Sequence, residues 1–574
     1  MGFLISFIGL VFLVFTLFLD FFLGKPQLIG PVQRILIFSS LIILCLGLFL
    51  LQNKDQKKTV IKNNNFEKDL IKNFLLIAVI ILFLINPIRF TINFLSLKFP
   101  IEYRDAAAIS AAVDFSRGIN PYTVENFPGH IYLYGFLYPL IMAPFMKFVA
   151  HPILVARFMD VLFSILFLSI SFWILRKRNS SIITSLIAIL ILLNSFCLIW
   201  LNNGSRSDAS GLFFSILGIC FLLRNPYKII HILFCAISFT ISFHFKQYMV
   251  FPALAVALYL FLFVSKQKGI IFVVFGISIG LLSFIVAKSI FPLWYEYSII
   301  HHIEANSSYI TLMYKQTITF FKYYWILFIL FLLYIYKHSS VFNFGKVKEI
   351  RLIPFDIKEP FIRGISIELL DLSFIISALF LTFYFGRKGG NTYTYYGELL
   401  LPFLIYSIIP KIDKLFEANF FQSIIKILIL YFCVFLFQSN YLIDFKSLNN
   451  SFTNLYQYVD QSQCTNIYDK TPLVSLYKIE NNLNPIFNNG QIDYARSVIP
   501  TKKSGIFGKI STAPAEILNT RLINWQNEIE RNINDQKFDC IILSTDEKIE
   551  NYDLVAKFEK IRKRTIYFWT PTKQ

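Results

Sequence analysis

Two carboxylates separated by two residues, Glu102 and Asp105, follow directly on an apolar segment of helical length. A carboxylate at the mouth of a membrane-spanning helix is partly withdrawn from water, which raises its pKa, while water-borne molecules still reach it. Such a group can act as a general base. The same pattern allows a second interpretation, in which the two acids only form ion pairs with Arg104 or Arg117 at the membrane interface.

The residues after this acidic pair predict two short surface elements. The segment AAAISAAVDF is too short to span a bilayer, so we expect a helix that lies along the membrane surface. Gly118 ends that helix, and Pro121 prevents its continuation. The segment YLYGFLYPLIMAP is rich in aromatic residues and contains prolines, which predicts a second surface or re-entrant piece.

A second group of ionisable residues collects at the predicted outer ends of spans, where positive charge is scarce. Near-membrane ionisable residues often mark functional sites, and cations in this place suit an anionic ligand such as a lipid phosphate or diphosphate. Alternatively, these side chains reach lipid headgroups or pair with neighbouring acids. The group comprises Arg157, Asp160, Arg206, Asp208, Lys246, Lys288, Arg387, Lys388 and Glu398.

The segment GRKGGNTYTYYGE combines three glycines with polar and aromatic side chains. Glycines let the backbone approach a ligand closely, and Asn391, Tyr395 and Glu398 offer the donors, acceptors and aromatic face that suit a sugar. The alternative is an outer hairpin with an aromatic belt at the interface.

A metal site is not indicated by the sequence. His301, His302 and Glu304 form a weak pattern that is more typical of a solvated loop, and no Cys/His spacing for a metal is present. We therefore expect no cofactor; a divalent metal would be compatible with the chain but is not indicated.

The elements that position these residues are mostly membrane spans. Of the 574 residues, 56% are hydrophobic, and they occur in blocks of about 20, the length that crosses a bilayer as a helix. We predict an all-α polytopic membrane protein of about 13 spans. The predicted spans begin near Phe3, Ile35, Ile71, Ile153, Ile182, Gly211, Ile229, Met249, Ile270, Thr317, Ile365, Leu399 and Ser423.

The net charge of +19 is explained by orientation, because Lys and Arg concentrate in one set of alternate loops. The positive-inside rule places that set in the cytoplasm. This interpretation predicts a multi-pass protein of the bacterial inner membrane with its N-terminus in the cytoplasm. No basic motif interleaved with aromatic residues appears, so we expect membrane lipids, and no nucleic acid, as partners.

Three regions follow from this orientation. Residues 1–52 are two N-terminal spans, residues 53–441 form the membrane module with the large outer loop 97–151, and residues 442–574 form a small extracytoplasmic α/β domain. Within that tail, Leu518, Leu522, Trp525 and Ile529 share one helical face. The segments FDCIILS and RTIYFWT predict strands. A disulfide between Cys464 and Cys540 is compatible with the sequence, but the sequence alone does not establish it.

The order of these motifs resembles a known family. A carboxylate opens the first outer loop, GINPY and YLYGFLYPLIMAP follow, and SRSDASGLFFSILGI, FHFKQYMVFPALAVALYL and GGNTYTYYGELLLPFL come later. This order, from about Glu102 to Pro402, is similar to multi-span glycosyltransferases of the GT-C fold. The nearest likeness is to bacterial relatives of the dolichyl-phosphate-mannose–protein mannosyltransferases, a family 39-like group. The chain departs from many relatives in having two additional N-terminal spans and Glu-x-x-Asp instead of adjacent acids.

The resemblance implies an inverting transfer of a sugar from a polyprenyl-phosphate carrier to an extracytoplasmic glycan, lipid or protein. By position, Asp105 matches the catalytic base best and Glu102 second. Lys246 and Arg206 match the cations that bind the donor phosphate, and Arg387 is a third candidate. The candidate residues for the sugar or acceptor are Asn391, Tyr395, Glu398, Tyr122 and Tyr134.

Two other classes of protein remain open on the sequence. A transporter or flippase for lipid-linked glycans would place charges at the bilayer midplane and show two repeated halves with broken helices. A non-catalytic envelope-assembly subunit would depend on its tail but not on the acids of the outer loop. The charges here gather at span mouths and no repeat is evident, which favours the enzyme.

Overall fold

A computed structural model gives the architecture of the chain. It describes residues 64–101, 103–199, 206–300, 310–337, 392–415, 419–431, 433, 445–470, 474–481, 499, 511, 513–544, 546–561 and 564–572, with five isolated positions among the first 52 residues. The predicted spans near Phe3, Ile35 and Ile365 lie outside the described residues.

Apolar helices form the body of the molecule. They are α1 (Asn64–Ser96), α4 (Pro152–Lys177), α5 (Ile182–Ile199), α6 (Asp208–Arg224), α7 (Ile229–Phe245), α8 (Pro252–Tyr259), α9 (Lys266–Ile290), α10 (Ile310–Lys337), α11 (Thr392–Leu415) and α12 (Asn419–Leu430). Each of the predicted spans that falls in the described ranges coincides with one of these helices. The span predicted near Met249 changes its helical geometry along its length: a 3₁₀ turn (Gln247–Val250) precedes α8 and a π-helical turn (Leu260–Val264) follows it.

Within the described ranges, three helical segments are long and apolar enough to cross a membrane: Asn73–Ser96, Pro152–Lys177 and Lys266–Ile290. Several of the shorter helices are apolar as well, including Ile229–Phe245 and Leu401–Ile412. The described part of the chain is therefore built largely from apolar helices, while the total of about 13 spans stays a prediction.

The large loop between α1 and α4 contains the two predicted short helices. Helix α2 (Tyr103–Ser116) begins between the two acids, with Asp105 in its first turn, and α3 (Leu137–Met146) lies in the aromatic segment. Gly118 has a φ of +81°, a left-handed conformation that glycine adopts at low cost, so it stops α2 as predicted. Helix α2 is buried along most of its length, because its alanines let α3 and α4 pack closely against it.

The tail forms a small mixed sheet with helices. Its helices are α13 (Phe445–Gln461), α14 (Ser475–Glu480) and α15 (Ala515–Asn534), and its strands are β1 (Ile467–Asp469), β2 (Cys540–Leu543), β3 (Tyr552–Ile561) and β4 (Arg564–Pro571). The strand order is β1-β2-β4-β3, with β1 parallel to β2 and the other pairs antiparallel.

The sequence predicted α15, β2 and β4 but not the other two strands. Leu518, Leu522 and Ile529 of α15 are buried and Trp525 is partly buried, which confirms the predicted face. Cys464 and Cys540 form a disulfide beside the β1–β2 pair. The limits of the three sequence regions, and the side of the membrane on which the tail lies, stay predictions.

Two apolar clusters join the tail to the membrane module. In the first, Leu518 and Leu522 of α15 pack with residues of α2 and of the loop. In the second, Leu448 and Phe452 of α13 pack against the end of α1, where Phe99 stacks on Phe452 with ring centroids 5.3 Å apart. Because burial of apolar surface stabilises such contacts in proportion to its area, the tail is held against the loop along two helices.

Candidate functional site

Asp105 lies in a fully buried position at the start of α2. Its Oδ2 accepts a hydrogen bond of 3.0 Å from the backbone N–H of Ile101. The same oxygen lies 3.9 Å from a guanidinium nitrogen of Arg157, which is also fully buried. Arg157 on α4 is therefore an ion-pair partner of Asp105, whereas the Arg117 side chain is exposed and the Arg104 side chain lies outside the described residues.

Arg157 joins this carboxylate to the end of α1. Its guanidinium donates to the backbone carbonyls of Phe94, at 2.6 Å, and of Leu97 and Phe99. These carbonyls lie at and beyond the last turn of α1, where a helix leaves its C=O groups without helical partners. A single side chain thus fixes how the chain leaves α1 and enters α2.

Asp160, one turn further along α4, continues the polar cluster. The hydroxyl of Tyr138 on α3 donates to its Oδ1 at 2.7 Å, and the backbone N–H of Arg206 donates to its Oδ2 at 3.2 Å. Burial raises the pKa of Tyr132 in the loop; the charges of Tyr134 and Asp160 raise it further, and that of Arg206 lowers it.

Lys246 and Asp208 form a second buried pair beside the first. The ammonium of Lys246, directly after α7, contacts Oδ1 of Asp208 at the start of α6. The hydroxyl of Tyr248 donates to the same oxygen at 3.0 Å, and the Lys246 ammonium lies 5.0 Å from the centroid of the Tyr248 ring. Helix α6 packs on both α4 and α7, which brings these two residues to the same end of the bundle as Asp105.

We call this set of six residues the charged cluster: Asp105, Arg157, Asp160, Arg206, Asp208 and Lys246. It lies where α4 and α6 begin and α7 ends, beneath the loop 97–151. A buried charge is costly unless it is paired, and each acid of the cluster has a cation or an N–H or O–H donor next to it.

Tyr122 and Tyr134 lie together in the loop above the charged cluster. The hydroxyl of Tyr122 and the hydroxyl of Ser298 both donate to the carbonyl of Tyr134 at 2.8 Å. The Tyr134 ring is 5.6 Å from the ring of Tyr132. The two predicted tyrosines therefore meet through the hydrogen bond from the Tyr122 hydroxyl to the Tyr134 carbonyl.

The loop also contacts the tail through polar groups. Arg521 on α15 donates to the carbonyl of Phe127 at 3.1 Å and to that of Glu125. Outside this loop, in the segment after α9, the buried carboxylate of Glu296 accepts a hydrogen bond of 2.6 Å from the hydroxyl of Ser511. The contacts of Arg521 place the tail directly over the loop that covers the charged cluster.

The structure brings together five of the predicted site residues: Asp105, Arg206, Lys246, Tyr122 and Tyr134. Glu102, Arg387 and Asn391 lie outside the described residues, as do His301 and His302. Tyr395 and Glu398 belong to α11, whose backbone is described at those positions.

Sequence reasoning missed several polar partners of the charged cluster and the loop. Tyr138, Tyr248 and Glu296 each occur in an aromatic run that reads as apolar packing, and Ser511 has no local signal at all. Their roles depend on contacts with residues 22 to more than 200 positions away, which no local pattern encodes.

In chemical terms, the charged cluster contains a carboxylate beside a guanidinium, Asp105 and Arg157, together with two further cations, Arg206 and Lys246. All of them lie at the edge of an apolar helix bundle. Such an arrangement can bind an anionic group and accept a proton close to it. Among the described residues, no three His, Cys, Asp or Glu side chains are grouped so that they could hold a metal ion.

Comparison with known proteins gives two similar solved structures. One is ArnT from Cupriavidus metallidurans bound to undecaprenyl phosphate, with 12% identity and a TM-score of 0.46, covering 86% of this chain and 97% of that one. The other is the same protein in the apo state, with 12% identity, a TM-score of 0.47, and coverage of 86% and 98%. No protein-family model and no curated relative matches the chain.

Proposed function

We propose that the chain is a membrane glycosyltransferase that moves a sugar from a polyprenyl-phosphate carrier to an extracytoplasmic acceptor, with inversion at the anomeric carbon. The observation that carries this proposal is the charged cluster, which gathers six ionisable side chains at one end of an apolar helix bundle. Ionisable residues are expensive in that environment and are concentrated there at functional sites.

In this proposal Asp105 is the general base. The neighbouring Arg157 guanidinium favours the ionised carboxylate, which is the form that a base needs. The carboxylate accepts the proton of the acceptor hydroxyl while the oxygen attacks the anomeric carbon and the bond to the carrier phosphate breaks. Glu102, three residues earlier, stays the second candidate for this role.

Lys246 and Arg206 are the proposed ligands of the donor phosphate, with Arg387 as a third. Negative charge grows on the phosphate as it leaves, so fixed cations beside it stabilise the transition state more than the ground state. The Asp208 carboxylate, which also accepts a hydrogen bond from the Tyr248 hydroxyl, holds the Lys246 side chain at the position where it would act.

The aromatic loop supports a sugar site above these cations. Aromatic faces and hydroxyl groups suit a sugar, and Tyr122 and Tyr134 are fixed there by the hydrogen bonds of the Tyr134 carbonyl. Asn391, Tyr395 and Glu398 complete the proposed set for the sugar or the acceptor. No metal is invoked for the reaction.

The proposed location is the bacterial inner membrane, with a cytoplasmic N-terminus and an extracytoplasmic tail. The disulfide between Cys464 and Cys540 supports this sidedness, because such bonds form and persist in oxidising compartments.

The test measures transfer of labelled sugar from a polyprenyl-phosphate donor in membranes containing the wild type, Asp105→Asn or Asp114→Asn. Asp114 is a matched control, since it is a buried acid on the same helix but pairs with His130. Removal of a general base lowers rates by about 10²- to 10⁴-fold, so we expect that loss in Asp105→Asn and near wild-type transfer in Asp114→Asn.

Equal rates in the wild type and Asp105→Asn, with both proteins inserted and folded, would remove Asp105 from the role of base. Absence of transfer in the wild type across a panel of sugar donors would refute the enzyme. Lipid flipping by the same protein in reconstituted vesicles would then favour the transporter.

A further inference from the structure

A separate cavity of about 280 Å³ lies at the seam between the loop and the tail. Its walls come from the ends of α2 and α3, the start of α4 and the tail helix α14. It contains two cations, Arg117 and Lys147, and one carboxylate, Glu480, while Met146 and Ile479 give it an apolar floor. None of these residues belongs to the charged cluster.

The charges of this seam cavity are not balanced. Glu480 already contacts His151, whose Nδ1 lies 3.0 Å from the carboxylate. Within the described part of the chain, neither Arg117 nor Lys147 forms a side-chain ion pair, and both side chains are exposed. The two cations are therefore available to an anion that enters the cavity.

An apolar patch lies directly beside the same cations. Phe148 is 85% exposed, Phe145 is 48% exposed and Val149 is 38% exposed, and all three lie within two residues of Lys147. Large apolar side chains interleaved with basic ones are typical of a surface that inserts into the headgroup region of a bilayer. Lysine and arginine there meet the phosphates of lipids.

We propose that the seam cavity binds the phosphate headgroup of an anionic membrane lipid. Arg117 and Lys147 contact the phosphate oxygens, and the acyl chains leave over Phe145 and Phe148. The walls of the cavity come from both the loop and the tail, so a lipid bound there stabilises the contact between them. This proposal needs only the membrane location of the chain and does not depend on sugar transfer.

The test measures lipid retention by the purified full-length protein. Protein stripped of lipid in a neutral detergent is incubated with phosphatidylglycerol, with phosphatidylcholine or with inorganic phosphate, and bound molecules are counted by native mass spectrometry. We expect retention of phosphatidylglycerol, at least about a tenfold loss of affinity in the double variant Arg117→Gln/Lys147→Gln, and near wild-type affinity in Lys147→Arg.

The matched control is Arg224→Gln/Lys228→Gln, which removes one exposed arginine and one exposed lysine. Arg224 lies at the end of α6 and Lys228 just before α7, at the ends of these helices that are far from the charged cluster. It should retain the lipid like the wild type. Equal retention by both double variants, or equal retention of phosphatidylcholine, would overturn the proposal. Binding of inorganic phosphate without retention of the lipid would overturn it as well, since the site would then serve a soluble anion.

Discussion

Asp539 shows how single polar residues hold the tail together. Its carboxylate accepts hydrogen bonds from the hydroxyl of Thr465 at 2.7 Å, from the Thr465 N–H at 3.0 Å and from the Asn466 N–H at 2.8 Å. Asp539 precedes Cys540 and Thr465 follows Cys464, so the carboxylate and the disulfide fasten the same junction. Burial raises the pKa of Asp539, but the hydrogen bonds lower it more, and the net shift is downward.

This shift predicts an acid-sensitive tail. A carboxyl group with a depressed pKa stabilises the fold above its unfolded-state pKa of about 3.9, and this stability is lost as the pH falls through the folded-state value. We expect Asp539→Ala to lower the unfolding temperature at neutral pH and to show a smaller further decrease below about pH 4 than the wild type. Asp535→Ala, which removes an exposed surface pair with Lys537, should change little. An unaltered acid transition in Asp539→Ala would contradict the assignment.

Gly135 determines how closely the loop approaches α7. A Cβ atom at this position would lie 2.0 Å from the carbonyl oxygen of His244 and 2.7 Å from that of Phe245. Both atoms belong to the backbone, and Lys246 follows directly. Only glycine therefore lets the loop rest against the end of the helix that positions this cation.

We expect Gly135→Ala to displace the loop from α7 and to lower both the unfolding temperature and any transfer activity. Overpacking of this kind costs about 1–3 kcal/mol of stability. Gly129→Ala is the control in the same loop, because its Cβ would meet nothing closer than a backbone oxygen at 3.9 Å. Both variants are compared with the wild type by unfolding curves and by hydrogen exchange of the loop. Identical unfolding curves for Gly135→Ala and the wild type would show that the loop accommodates the added Cβ atom without loss of stability.

Whether a feature could be predicted from the sequence depends on how far apart along the chain its interacting residues lie. Helices such as α2 and α15 were predicted because apolar periodicity and a terminating glycine are local signals. Strand β1 was missed because it has three residues and exists through pairing with β2, more than 70 positions later. For the same reason the sequence did not indicate that Arg157 is a partner of Asp105, because the two residues lie far apart along the chain.

At the scale of the whole molecule, the tail and the membrane module both pack against the loop 97–151. Two apolar clusters and the polar contacts of Arg521 and Ser511 connect them. The loop is therefore enclosed from below by the charged cluster and from above by the tail, and its order depends on both.

Arg521→Ala tests the upper contact. Loss of two hydrogen bonds from a charged donor costs about 1.5–3 kcal/mol each, so we expect faster hydrogen exchange in residues 119–136 with the sheet unaffected. Arg531→Ala, an exposed arginine in the last turn of the same helix, should leave that exchange unchanged. If the loop exchanges at the wild-type rate in Arg521→Ala, the tail does not order it through this side chain.

The bonds of Arg157 have a consequence for biogenesis. Its guanidinium binds carbonyls of residues 94–99, which leave the ribosome about 60 residues before it. The nascent loop therefore lacks its anchor until the first turns of α4 have been made. Membrane insertion of α4 thus completes the folding of a segment synthesised earlier, and a ribosome pausing before codon 157 would expose that segment to proteases and chaperones.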